Sequence, residues 1–268
     1  MEQLTNTGEL LRAAQDTASP SLELNDDARP NSADPHKSWA RLTEAPLDPV
    51  TLKRHHILTS KPNNKSAPYD QLRTRMLSHM RVAGHRRVAI ASPTAGCGSS
   101  TITANLALGL ARQSDLRIMV LDLNLRQPSL IHLFGLEEAG PRFSVLTGSK
   151  RNFDSTCLRV GENLGLSLNA TPVNDASERL SHTNTAELLD HVEREFVPDV
   201  ILLDLAPLSP MDDALAALSL TDCALLVARA DHSTNTQIDV AERTMAEHTT
   251  CLGVVLNACR FAREYGNG

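Results

Sequence analysis

From Tyr69 onward the chain alternates between two hydrophobic rhythms. Tyr69–Val82 spaces its apolar residues at helical intervals and is closed by Gly84, which predicts an amphipathic helix. Arg87–Ser92 is a short apolar run ending in a turn, hence a strand, and Ser100–Arg112 is an Ala/Leu-rich helix. Arg117–Asp122 predicts a second strand with Asp122 at its carboxyl end, and Val200–Asp204 repeats that pattern. Further strands are expected at Leu164–Leu168, Cys223–Ala228 and Leu252–Leu256, with helices at Thr185–Phe196 and Thr236–Glu247. Strands that read as unbroken Val/Ile/Leu runs and alternate with helices predict an α/β fold. The expected architecture is one doubly wound, mainly parallel sheet covered by helices on both faces.

Residues 1–48 lack this rhythm. They are rich in Ser, Asn, Asp and Pro, carry nine acidic against four basic side chains, and predict a disordered acidic tail with a short helix around Thr7–Ala14. The expected domain spans 49–262, followed by a short tail at 263–268. Residues 51–90 reverse the sign, with nine basic side chains against Asp70 alone. That stretch reads either as a solvated face or as a docking surface for an acidic partner or an anionic membrane. The whole chain of 268 residues has a formal charge of −6 and 3% aromatics, which disfavours nucleic acid as a partner. No run is long and apolar enough to cross a membrane, and the first thirty residues lack a signal peptide's apolar centre. The five cysteines are scattered without a CxxC pair, which points to a reducing cytoplasm and away from zinc.

Three features fall at the ends of predicted strands, where open α/β sheets bind ligands. Ser92-Pro-Thr-Ala-Gly-Cys-Gly-Ser-Ser-Thr101 joins a strand to a helix. Gly96 and Gly98 can turn backbone N–H groups onto a phosphate, and the following helix adds its positive end. Ser100 or Thr101 can offer a hydroxyl to Mg²⁺. A phosphate-binding P-loop calls for Gly-Lys-Ser/Thr, whereas this loop reads Gly98-Ser99-Ser100 with Pro93 in the first glycine's place. Taken alone, the loop can also be read as a glycine turn before a serine-capped helix. Asp122-Leu-Asn-Leu-Arg-Gln-Pro128 offers a Mg²⁺ ligand or, more plainly, a capping carboxylate. Asp204, after four apolar residues, is a costly place for an unpartnered charge.

Together and in this order, these segments resemble the bacterial tyrosine kinases of polysaccharide export, within the MinD- and ParA-like P-loop ATPases. The resemblance runs from about Tyr69 to Asn257. It also takes in Tyr69-Asp-Gln-Leu-Arg-Thr74, Phe134-Gly-Leu136, Asp204-Leu-Ala-Pro207 and Gly253-Val-Val-Leu-Asn257. It implies ATP or ADP with Mg²⁺ as ligand, held by Gly96, Cys97, Gly98, Ser99, Ser100, Thr101 and Arg126, with Asn257 beside the adenine. The metal position implies Ser100, Asp122 and Asp204. Implied partners are a membrane-embedded polysaccharide chain-length regulator and an intact paralogue or further copies of the chain.

The chain also departs from that pattern. Ser99 stands where the family has Lys, Asn124 where it usually has Asp, Gln127 for a second Arg, and Ala206 for a proline. Of the family's ring-assembling Glu-x-x-Arg-x-x-Arg, only Arg73 remains, with Ala67 and Asp70 in the other positions. Tyr265 is the only tyrosine after Tyr69, either a vestigial acceptor or a surface aromatic. Loss of the lysine removes charge from the β- and γ-phosphates, at a cost of roughly 2–5 kcal/mol. Asn124 accepts no proton, so any base role at that position goes with it. Arg126 is a candidate substitute cation. The leading expectation is a degenerate nucleotide-loop protein acting as regulator or scaffold. The alternatives are an active ATPase or tyrosine autokinase with Asp122 catalytic, and a MinD/ParA-like positioning ATPase. Against the last, its signature lysine would fall at Thr94 and no basic amphipathic helix follows Asn257.

Overall fold

The computed structural model describes residues 35–137, 153–208 and 212–259. In chain order its elements are α1 (Pro35–Ala40), β1 (Thr43–Glu44), α2 (Pro49–Arg54), α3 (Ala67–Ala83), β2 (Arg87–Ala91), α4 (Ser99–Ala111), β3 (Ile118–Asp122), α5 (Leu130–Phe134) and α6 (Phe153–Thr156). They continue with β4 (Leu158–Val160), β5 (Leu164–Ser167), α7 (Ala176–Ser181), α8 (Thr183–Phe196), β6 (Val200–Asp204), α9 (Asp213–Leu218), β7 (Cys223–Arg229), α10 (Asn235–Ala246) and β8 (Thr250–Asn257).

The eight strands form one sheet in the order β1-β4-β5-β3-β6-β2-β7-β8, parallel throughout except for the antiparallel β4–β5 pair. This is the expected doubly wound sheet. The central strands β2, β3 and β6 are buried on both faces, which is why their sequences do not alternate. One apolar layer packs under α3 and α4, around Val88, Ile90, Val120 and Leu202. The other packs under α7–α10, around Ala89, Leu121, Leu203 and Leu226. Helix α4 is buried from Ile102 to Leu110, so its Ala/Leu composition reads apolar all round. Gly84, at φ 70°, ends α3 and turns the chain into β2. Thr234 and Gln237 close a capping box at the start of α10.

The boundary at residue 48 needs correction. Residues 35–48 are part of the fold. Trp39 is buried, donates its indole N–H to the Phe196 carbonyl at 2.8 Å, and meets the Phe196 ring edge-on at 6.1 Å. Thr43 and Glu44 add a parallel edge to β4, and Leu42 and Ala45 are buried beside them. A six-residue helix and a two-residue strand are too short to show a hydrophobic period. Residues 1–34, including the expected helix at Thr7–Ala14, lie outside the described residues, as does the tail at 263–268 with Tyr265.

Among the described residues no helix is long and apolar enough to cross a membrane. The exposed cations of residues 51–90 include Lys53, Arg54, Lys61, Lys65, Arg75, Arg81 and Arg86. Arg73 and Arg87 are tied internally. Arg73 donates to the Gly109 carbonyl on α4 at 2.7 Å and pairs with Asp70, and Arg87 bridges Asp190 and Glu193 on α8.

Candidate functional site

Sheet order brings the three strand-end features together. β3, β6 and β2 are neighbours, and Asp122 and Asp204 are register partners on adjacent parallel strands. The loop after β2 rises beside them into a cavity of about 580 Å³. One wall carries Gly96, Gly98, Ser99, Ser100 and Thr101, and the facing wall carries Asn124, Arg126, Gln127, His132 and Leu133.

Gly96 (φ 80°) and Gly98 (φ 88°) are both left-handed, so the loop curls back on itself before α4 begins. Gly98 is the N-cap of α4 and supplies no side-chain cap, so the first turn of the helix offers its N–H groups to a ligand. Cys97 points away from the cavity. It is buried, with its Sγ 3.7 Å from Thr94 Oγ1 and 3.5 Å from Ser233 Oγ.

Asp122 and Asp204 are wholly buried beneath the loop. Thr103 donates to Asp204 Oδ1 at 3.0 Å, and the Asn124 N–H donates to Asp122 Oδ1 at 3.2 Å. The second oxygen of each carboxyl, Oδ2, has no hydrogen-bond partner among the described residues, and no Lys or Arg there forms an ion pair with either group. Burial, followed by the charge of Asp204, pushes the Asp122 carboxyl well above the ordinary carboxylate range. Burial likewise raises Asp204, opposed by the neighbouring Ser100 and Thr103 hydroxyls. Two buried, unpaired carboxyl oxygens next to a serine hydroxyl fit a hard divalent cation such as Mg²⁺. Among the described residues no group of three or more His, Cys, Asp or Glu side chains does so.

Arg126 stands in the cavity wall, but its guanidinium is already engaged. It donates from Nε and Nη2 to the two oxygens of buried Asp213 at 2.5 and 3.1 Å, and from Nη1 to the Asn174 carbonyl at 2.6 Å. A phosphate at Arg126 would compete with a bidentate carboxylate. Asn257 sits at the end of β8, where its Nδ2 donates to the Cys97 carbonyl at 2.9 Å. Thus Gly96, Gly98, Ser99, Ser100, Thr101, Asn124 and Arg126 share the cavity. Asp122 and Asp204 lie below it, and Cys97 and Asn257 lie behind the loop.

Two residues at the site, Arg229 and His132, went unread in the sequence, and Asp213, which follows the Asp204 segment in the Asp212-Asp213-Ala214 run, was given no role. Arg229 donates to the Gly96 carbonyl at 3.1 Å. Asp213 holds Arg126, and His132 lines the cavity while meeting Glu137 at 2.9 Å. Arg229 carries the signal that marks Asp122 and Asp204, a polar residue ending an apolar strand, once β7 is extended by one residue beyond Ala228.

No protein-family profile matches the chain. It is 27% identical over 188 residues to EpsB of Ralstonia solanacearum, which bears a tyrosine-protein kinase name, covering 70% of this chain and 25% of that one. It is 30% identical over 198 residues to the tyrosine-protein kinase ptk of Acinetobacter johnsonii, covering 69% and 26%. It is also 26% identical over 223 residues to the tyrosine-protein kinase YwqD of Bacillus subtilis, covering 80% and 91%. The chain therefore spans about a quarter of the length of EpsB and ptk. In fold it is similar to the chimerical protein CapA2B2, with a TM-score of 0.66, 20% identity, and 84% and 98% coverage. It is similar at 0.62 to the kinase domain of the Escherichia coli tyrosine kinase ETK, with 19% identity and 76% and 80% coverage. The Pyrococcus horikoshii septum site-determining protein MinD, complexed with Mg-ADP, follows at 0.53, with 18% identity and 66% and 72% coverage.

Proposed function

We propose that this chain, a relative of the bacterial tyrosine-protein kinases on a P-loop ATPase fold, is a nucleotide-phosphate-binding protein whose phosphoryl chemistry is degraded. It would serve as a regulatory or scaffold component of polysaccharide export beside a membrane-embedded chain-length regulator. The observation that carries this reading is a cradle intact in backbone and cation-binding carboxyls but without a lysine. The left-handed glycines, the open first turn of α4 and the buried Asp122–Asp204 pair suit a Mg²⁺-bound polyphosphate, while Ser99 supplies no charge to it.

In this reading Gly96, Gly98 and the first turn of α4 cradle phosphate oxygens. Ser100, Asp122 and Asp204 would hold Mg²⁺, which would supply positive charge to the phosphates. Asn124, at the cavity wall, takes no proton from a bound group. The Arg126–Asp213 pair shapes the facing wall. Calorimetric titration of MgATP and MgADP tests the proposal: weak binding with no measurable turnover is expected. Steady Mg²⁺-dependent turnover abolished by Asp122→Ala would instead favour an active ATPase or autokinase, a second reading that the complete carboxyl pair keeps in view.

A further inference from the structure

Two side chains from neighbouring strand ends grip the back of the phosphate loop. Arg229, the last residue of β7, donates from Nη1 to the Gly96 carbonyl at 3.1 Å. Asn257, the last residue of β8, donates from Nδ2 to the next carbonyl, that of Cys97, at 2.9 Å. Their own backbones are joined, because the Ala230 N–H donates to the Asn257 carbonyl at 2.9 Å. The Arg229 N–H donates to Ser233 Oγ at 3.0 Å, and that oxygen lies 3.5 Å from Cys97 Sγ. Neither Arg229 nor Asn257 lines the cavity, and each meets the loop at a backbone carbonyl.

A trans peptide points its carbonyl and the following N–H in opposite directions. Holding the Gly96 carbonyl outward therefore turns the Cys97 N–H inward, and holding the Cys97 carbonyl does the same for the Gly98 N–H. A donor on a carbonyl also polarises its peptide unit and strengthens the opposite N–H as a donor, more so when the donor is a cation. The close fit depends on glycine, since a Cβ on Gly98 would lie 2.4 Å from Asn257 Nδ2.

We propose that Arg229 and Asn257 are positioning residues that preset the Cys97 and Gly98 N–H groups for a phosphate, and that Arg229 partly offsets, from behind the loop, the charge missing at Ser99. The inference rests on reading the cavity as a nucleotide-phosphate site. Arg126, held by Asp213, is less available for that task than the exposed Arg229.

The test uses the full chain with Arg229→Gln, Arg229→Lys and Asn257→Ala, each in the natural and the Ser99→Lys background. Calorimetry with MgADP and with magnesium pyrophosphate gives affinities, pyrophosphate reporting on the loop without a base. Amide resonances of Cys97 and Gly98 in the free protein report the peptide units directly. Arg229→Gln is expected to weaken both ligands alike, by about tenfold, and to shift both amides. Arg229→Lys should recover most of that loss, and Asn257→Ala should also weaken both ligands. If Arg229→Gln lowers the melting temperature, the Lys variant and the free-protein amide shifts still decide. Unchanged affinities and amide shifts in a Ser99→Lys chain that binds would overturn the clamp alone, as would an Asn257→Ala loss confined to MgADP. Absence of binding by both backgrounds would overturn the nucleotide reading and the clamp with it.

Discussion

Asp122 and Asp204 set the energetics of the site at the level of single residues. Both carboxyls are held above their ordinary range, so the folded chain keeps protons that the unfolded chain has already released. Their contribution to stability is complete below the unfolded carboxylate pKa of about 4 and is lost as pH rises toward the raised folded value. Where the folded chain holds one extra proton, the slope is about 1.4 kcal/mol per pH unit. Without Mg²⁺ the melting temperature is expected to fall with rising pH. Asp204→Asn should flatten that fall, and Mg²⁺ should raise the melting temperature more at pH 8 than at pH 5. Melts in chelator and in MgCl₂ check this, and a pH-independent difference between them would contradict it. Gly98 gives a second expectation. Gly98→Ala places a Cβ at φ 88° against Asn257 Nδ2, so the loop must either lose its left-handed turn or release Asn257. A strain of about 1–2 kcal/mol is expected, with phosphate binding lost in parallel; titration of the variant with MgADP reads the latter.

At the scale of elements, the long ones were legible and the short ones were not. Strand β6 matches its sequence-based bounds, and α4, α8 and α10 agree within two residues, because burial on both sheet faces or on one helix face writes a period long enough to read. Elements α1, β1 and α5, at six, two and five residues, carry no such period. Their order comes from tertiary contacts, Trp39 of α1 on Phe196 and α5 against α4 and α2. The site divides in the same way. The cradle and both carboxyls were visible because they end strands, whereas Arg229 and the Arg126–Asp213 pair act through contacts 133 and 87 residues apart in sequence. Trp39→Ala is expected to cost about 3–5 kcal/mol in chemical denaturation. A tail without structure through residue 48 would lose almost nothing. Arg73→Ala removes the α3–α4 tie to the Gly109 carbonyl, and a loss of about 1.5–3 kcal/mol is expected. Because Arg73 is engaged within the chain, its removal should leave the oligomeric state seen by sedimentation unchanged.

At the scale of the whole molecule, one sheet positions the loop, the carboxyl pair and the residues behind the loop. Adjacent β3, β6 and β2 place the carboxyl pair and the loop together, and the ends of β7 and β8 brace the loop from behind. On the proposed reading, two of the residues that depart from the kinase pattern, Ser99 and Asn124, line the cavity, which is shaped by buried strands and two left-handed glycines. On that reading the charge missing at Ser99 limits binding, so restoring it should restore affinity. The most direct measurement is calorimetric titration of MgADP and MgATP into the natural chain and its Ser99→Lys variant. Weak binding by the natural chain is expected, with a gain of roughly thirty-fold or more on adding the lysine, from about 2 kcal/mol upward of phosphate stabilisation. Equal affinity in the two proteins, or no binding by either, would contradict it.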